Sequence, residues 1–284
     1  MVARKKSSLP PDTTRLKPDE NDDPIFNAAE GRKILSGWRD DLCLATRFLT
    51  RIPLGRGEKA GKGAVAASMR AFPLVGAGLG ISGGVAFLVA AGLGLSSLPS
   101  AILALVAIVV LSGAMHEDAL ADTVDGFIGG YDRKKRLTIM HDSLIGTYGV
   151  LALIFSVGIR VAVLASFAGP GQVTAVLIAA LSVSRASLPV IAWNMKPARR
   201  SGLAFTVGRP NQDRVYAAVA LSSALALLFL GPLVGFLALL AAAISALAVM
   251  ALARRMIGGY TGDVLGTAQQ ACEIAVLLVA AAAL

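Results

Sequence analysis

The chain has 284 residues, 55% of them hydrophobic and only 16% charged, with a mean hydropathy of +0.68 and a formal net charge of +9. Soluble domains carry nearer a quarter of charged residues, so these figures exclude a water-soluble globule, a disordered chain, a disulfide framework and a β-rich secreted domain. They indicate a polytopic membrane protein, and the two cysteines, Cys43 and Cys272, match no metal-ligand spacing.

In chain order, residues 1–35 contain Pro10-Pro11, the acidic run Asp19-Glu20-Asn21-Asp22-Asp23 and no apolar core. They read as a disordered cytoplasmic tail, neither a cleavable signal peptide nor a span, ahead of a single membrane-embedded catalytic domain over 36–284. Over Trp38–Pro53, Leu42, Ala45, Phe48, Leu49 and Ile52 alternate at helical spacing with Arg39, Arg47 and Arg51. This predicts an amphipathic helix, lying either in the membrane interface or on the surface of the bundle. Long apolar runs then predict spans at Phe72–Leu95, Pro99–Met115, Tyr148–Ala168, Val173–Trp193, Val215–Leu230, Leu233–Leu252 and Val264–Leu284. The expected fold is therefore all-α, a helical bundle of about seven transmembrane helices plus the N-terminal amphipathic helix.

Of the 27 Lys and Arg residues, 25 fall in the N-terminal segment or in alternate links between spans, while Ser96–Leu98, Gly169–Gln172 and Gly231–Pro232 carry none. By the positive-inside rule the basic side is cytoplasmic, which places the N-terminus inside and the C-terminus outside. The positive charge is thus an orientation signal, and nucleic acid is not an expected partner. The two exceptions, Arg160 and Arg185, sit inside spans, where either could reach a carboxylate for structural reasons or bind a phosphate.

Polar chemistry collects on the basic side. The second span runs on into His116-Glu117-Asp118-Ala119-Leu120-Ala121-Asp122-Thr123-Val124-Asp125-Gly126. If the helix continues, Asp118, Asp122 and Asp125 fall within roughly 60° of one another on one face. Three carboxylates on one patch repel, and a hard divalent cation relieves them; all-oxygen ligands favour Mg²⁺ or Mn²⁺. Glu117 lies to one side of that face and ranks below the aspartates as a ligand, and His116 points nearly opposite. Asp142 precedes a Gly-rich entry into the next span, where it could cap the helix or adjoin an anion site. Asp263 heads the last span with the same two options. Arg209, in Gly208-Arg209-Pro210, belongs to a basic loop that could close over an anionic substrate or form a turn. A carboxylate trio with inward arginines at a membrane face suits phosphoryl-type transfer.

The run His116–Gly126 resembles the signature of the cobalamin synthase family, the adenosylcobinamide-GDP ribazoletransferases. The resemblance extends through Thr46–Pro53, Phe72–Gly76, Asp142-Ser143, Ile145–Gly149, Gly208-Arg209-Pro210, Gly258-Gly259 and Thr261–Gly266. Ala119 stands where the family usually has Gly, and His141 where it usually has a basic residue. The resemblance implies a multi-pass inner-membrane, Mg²⁺-dependent transferase at the last stage of nucleotide-loop assembly in cobalamin biosynthesis. Such an enzyme joins α-ribazole, or its 5′-phosphate, to adenosylcobinamide-GDP and releases GMP. Its partners would be those substrates and the bilayer, with self-association left open. Carried onto this chain, Asp118, Asp122 and Asp125, with Glu117 as a further donor, would hold the metal. Asp122, Asp125 and Asp142 are the catalytic candidates, with Asp142 or Asp125 taking the hydroxyl proton. His116, Arg160, Arg185, Arg209 and Asp263 are the substrate-binding candidates. Two other classes compete: a CDP-alcohol phosphotransferase, whose Ala-Arg after Asp-Gly is missing here, and a transporter, for which no inverted repeat is evident.

Overall fold

A computed structural model describes residues 28–54 and 63–283, with side chains from 37 onward. The expected tail over 1–35 therefore lies outside the described residues up to 27, and its side chains lie outside them throughout. Apart from one isolated bridge, all regular structure among the described residues is helical: α1 (Ala28–Leu49), α2 (Ala64–Ser68), a 3-10 turn (Met69–Ala71), α3 (Phe72–Gly92), α4 (Ser97–Ser112), α5 (Met115–Gly129), α6 (Arg133–Ile139), α7 (Thr147–Ser166), α8 (Pro170–Asn194), α9 (Leu203–Val207), α10 (Gln212–Leu230), α11 (Pro232–Ile257) and α12 (Gly262–Ala283). Chain contacts separate residues up to Gly37, which contribute only the first turns of α1, from a single bundle that begins at Trp38.

Six stretches, ending in or formed by α3, α7, α8, α10, α11 and α12, are long and apolar enough to cross a membrane. α4 packs along α3, and with α5 it forms a bent pair that together is long and apolar enough for one further crossing. Apolar side chains at helical spacing on α11, Leu233, Phe236, Leu240, Ile244 and Leu247, are exposed, as a hydrocarbon solvent favours. The protein is a polytopic helical membrane protein.

α8 is the axis of the bundle. Of its apolar window 89% is buried, against 28% for α7, α10 and α11, and it packs on α3, α10 and α12. Small residues allow this: a Cβ at Gly76 of α3 would stand 2.1 Å from the Leu181 carbonyl oxygen, and one at Gly80 2.7 Å from Ile178 Cα. From Trp38 on, α1 is a helix packed on the bundle. Ala45 and Leu49 are fully buried, Phe48 stacks on Phe72 at 5.9 Å, and Asp41 accepts from Arg70 (2.6 Å) and Arg214 (2.8 Å).

One expectation changes in a way that shapes the site. The second span does not continue through His116–Gly126. Gly113 and Ala114 both take left-handed backbone angles (φ 67° and 56°), α4 ends there, and α5 sets off at 87° to it. Left-handed residues cannot propagate a right-handed helix, so the chain stops and restarts. α5 is a separate limb held between α7 and α12.

Candidate active site

Because α5 is one uninterrupted helix from Met115 to Gly129, the i, i+4, i+7 spacing still puts Asp118, Asp122 and Asp125 on one face. Their surroundings differ sharply. Asp118 is exposed, Asp122 is half-buried and Asp125 is buried. Burial, then the negative charges of Asp118, Asp263 and Asp125, push the Asp122 carboxyl up to about 7. Asp263, at the first turn of α12, accepts a hydrogen bond from the Thr261 hydroxyl at 3.0 Å and lines a cavity of about 230 Å³ together with Asp118, His116 and Arg199. The approach of α12 to α5 depends on Gly266, where a Cβ would lie 2.4 Å from the Ala119 methyl. The Thr267 hydroxyl donates to the Ala119 carbonyl across the same seam, at 3.1 Å.

Asp125 is occupied otherwise. Its two oxygens accept from the backbone N–H groups of Gly146 (2.7 Å) and Gly149 (2.8 Å), so it clamps the entry of α7 to α5. Each of its oxygens is thus engaged by one N–H group in holding α7. Glu117 is also engaged within the bundle. It points away from the aspartates into the bundle, where Oε1 meets Arg160 at 3.0 Å and accepts from Gln270 Nε2 at 3.2 Å.

Arg160 and Arg185 do not reach the cavity. Both are about 1% exposed. Arg160 is bracketed by Glu117 and by Glu273 of α12 (3.4 Å), while Arg185 donates to the Leu181 carbonyl at 3.2 Å and to the Ser184 hydroxyl at 3.4 Å. Gln269 joins Ser184 to Glu273, and Gln270 joins Ser156 to Glu117. The two intramembrane arginines thus belong to a buried polar network in the core, in which Arg160 is paired with two carboxylates. Sequence reasoning missed the partners Gln269, Gln270 and Glu273, although three polar residues inside one span were a readable signal. His116 borders both regions: its ring is buried, it lines the carboxylate cavity, and its Nε2 has no partner among the described residues.

Asp142 is exposed in the link between α6 and α7, where it accepts from the Leu144 N–H at 3.2 Å and lines an open bowl with Arg133, Lys134, His141 and Arg199. Arg209 lies in a further cavity at the end of α8; its Nε donates to the Trp193 carbonyl at 2.9 Å and its guanidinium sits 5.9 Å from the Trp193 ring centre. Arg199 lines all three cavities. Sequence reasoning counted it only as one of the basic residues of its loop, and nothing local distinguishes it from Arg200.

The model of the cobalamin-5-phosphate synthase family matches residues 41–281. The chain is 42% identical over 242 residues to an adenosylcobinamide-GDP ribazoletransferase of Bradyrhizobium diazoefficiens, covering 85% of this chain and 93% of the relative. Proteins of the same name from Azorhizobium caulinodans (43%; 84% and 94% covered) and Allorhizobium ampelinum (40%; 88% and 99% covered) are equally similar. The chain belongs to the cobalamin-5-phosphate synthase family. No solved structure matches it.

For this family member, a divalent cation can be tested against the geometry. Among the described residues no three His, Cys, Asp or Glu side chains already stand as a ligand set. What the chain offers is a group of carboxylates, Asp118, Asp122 and Asp263, each within electrostatic reach of another, with Arg199 near Asp263. Carboxylate oxygens are the donor chemistry that suits Mg²⁺.

Proposed function

We propose that this chain is a Mg²⁺-dependent adenosylcobinamide-GDP ribazoletransferase of the inner membrane, with its N-terminus and site in the cytoplasm and its C-terminus on the other side. The observation that carries the reading is that Asp118, Asp263 and Arg199 line one cavity, with Asp122 on the same helix face as Asp118 and within electrostatic reach, in a chain that matches its family over residues 41–281. A ribose hydroxyl of α-ribazole, or of its 5′-phosphate, attacks the phosphorus that bears the cobinamide arm. The new P–O bond forms as the bond to the bridging oxygen breaks, and GMP leaves with that oxygen.

Asp118, Asp122 and Asp263 would hold the metal, which neutralises diphosphate charge when bound. Arg199 and Arg209 offer guanidinium forks to phosphate oxygens. His116 presents an unpartnered ring nitrogen beside Asp118. Of the two carboxylates considered for the hydroxyl proton, Asp142 has both a free oxygen and access, because Asp125 is held by two N–H groups. The test is reconstitution of the purified chain with Mg²⁺, adenosylcobinamide-GDP and α-ribazole. GMP and a cobalamin product are expected, and their loss on chelation; a failure to form either product overturns the reading.

A further inference from the structure

Arg199 lines three cavities, and two of them have chemistry assigned above. The third, about 420 Å³, is walled by Trp193, Phe205 and Tyr260 and carries Lys196, Arg199, Arg200 and Arg209. No carboxylate lines it. Its size falls in the range of small-molecule sites, roughly 300–1,000 Å³. Cations beside aromatic rings suit a ligand that joins a flat base to phosphate, because rings stack on the base while guanidinium groups take the anion.

The loop that forms this cavity is built to hold its shape. Pro197 and Tyr260 form a parallel bridge, in which Ala198 N–H donates to the Tyr260 carbonyl (2.8 Å) and Tyr260 N–H donates to the Lys196 carbonyl (3.0 Å). A Cβ at Gly259 would fall 2.5 Å from the Lys196 oxygen, so the glycine permits that approach. Arg133 donates to the Ala198 carbonyl from the other side. The frame leaves Arg199 beside Asp263, whose carboxylate its charge reaches. Gly202, at φ +84°, leaves room for the Arg199 side chain, whose Nε would stand 3.3 Å from a Cβ there. Among the described residues no hydrogen bond or ion pair engages the Arg199 guanidinium, unlike those of Arg133 and Arg136, which are bound to carbonyls of α11.

We propose that the cavity at the end of α8 receives the guanosine phosphate of the leaving group, its base against Trp193 and its phosphate on Arg199, which is shared with the carboxylate cavity. This deepens the reaction proposed above and rests on it for the choice of nucleotide. Cations with no acid among them match a ligand that keeps its charge throughout the reaction. A ribazole without its phosphate is neutral and would leave those cations unanswered. The attacking group then has the Asp142 bowl, which also opens at Arg199, so nucleophile and leaving group occupy separate places, as in-line displacement requires.

The chain has two tryptophans, Trp38 and Trp193, so Trp38→Phe leaves Trp193 as the sole indole reporter. In the full-length protein in detergent, GMP titrated without other substrates should quench Trp193 saturably. Inorganic phosphate and α-ribazole at the same concentrations should leave it unchanged. Arg199→Lys should weaken the GMP response without abolishing it. In the active enzyme, Trp193→Ala should raise the inhibition constant of GMP roughly ten-fold, as loss of one base–aromatic stack predicts, with the KM for α-ribazole unmoved. An absent GMP response, or quenching by α-ribazole in its place, overturns the assignment. The two proposals fail separately: turnover without GMP quenching removes this site alone, and GMP quenching without turnover removes the reaction alone.

Discussion

The Arg160 guanidinium lies 3.0 Å from Glu117 Oε1 and 3.4 Å from Glu273 Oε1, so one cation on α7 ties the start of α5 to the interior of α12. All three groups are buried, and α5 carries the aspartates, so this contact fixes the element on which the site is built. Arg160→Ala should destabilise the protein by roughly 3–5 kcal/mol, because it leaves two buried carboxylates without a cation. Glu117→Gln should cost less, since Arg160 keeps Glu273. Thermal unfolding of the detergent-solubilised protein checks the order, and equal losses would contradict it.

Asp125 and Asp122 should separate structure from chemistry. Asp125→Ala removes two charge-assisted hydrogen bonds to the start of α7 and should cost roughly 2 kcal/mol or more. Gly149→Ala should act on the same clamp, since its Cβ would fall 2.3 Å from Asp125 Oδ2. Asp122→Ala relieves repulsion, so the protein should insert and melt as the parent does while GMP release falls roughly a hundred-fold or more. Near-normal turnover in Asp122→Ala would remove its metal role.

The raised Asp122 carboxyl has a pH signature. The folded protein holds this proton up to about 7, whereas the ordinary value is 3.8. Between those values the folded state binds more protons than the unfolded chain, so the contribution of Asp122 to stability falls as pH rises through that window. A cation that binds the ionised form offsets this loss. The Mg²⁺-induced rise in melting temperature should therefore be larger above the window than below it, and should vanish in Asp122→Ala. A rise independent of pH would place the ion elsewhere.

The arrangement of basic residues predicts topology. A reporter fused after Leu284 should be active only if its enzyme works outside the cytoplasm, and one fused to the N-terminus should behave oppositely. Activity of the cytoplasmic reporter at Leu284 would invert the bundle and move the site with it.

Much of this was legible in the chain alone. The apolar runs at Phe72–Leu95, Val173–Trp193 and Val264–Leu284 correspond closely to α3, α8 and α12, because a bilayer demands some twenty apolar residues in continuous helix and the demand is met locally. The spacing of Asp118, Asp122 and Asp125 held for the same reason, since a helix face depends only on residues within two turns. The family resemblance rests on these local motifs as well, and the family match extends it along the chain.

The fates of individual charges were decided by helices far apart in sequence. Nothing near Arg160 foretells Glu117 and Glu273, so an intramembrane arginine looked as fit for substrate as for an internal pair. Nothing near Asp125 shows that two glycine N–H groups 21 and 24 residues later would occupy it. Arg199 became prominent only when the Pro197–Tyr260 bridge set it beside Asp263. Sequence alone determined which helices form and where charge accumulates, because those follow from short-range periodicity and transfer to lipid. Tertiary structure decided which charges are spent on holding the bundle and which stay available to a ligand, because a buried charge must find its partner wherever the fold brings one.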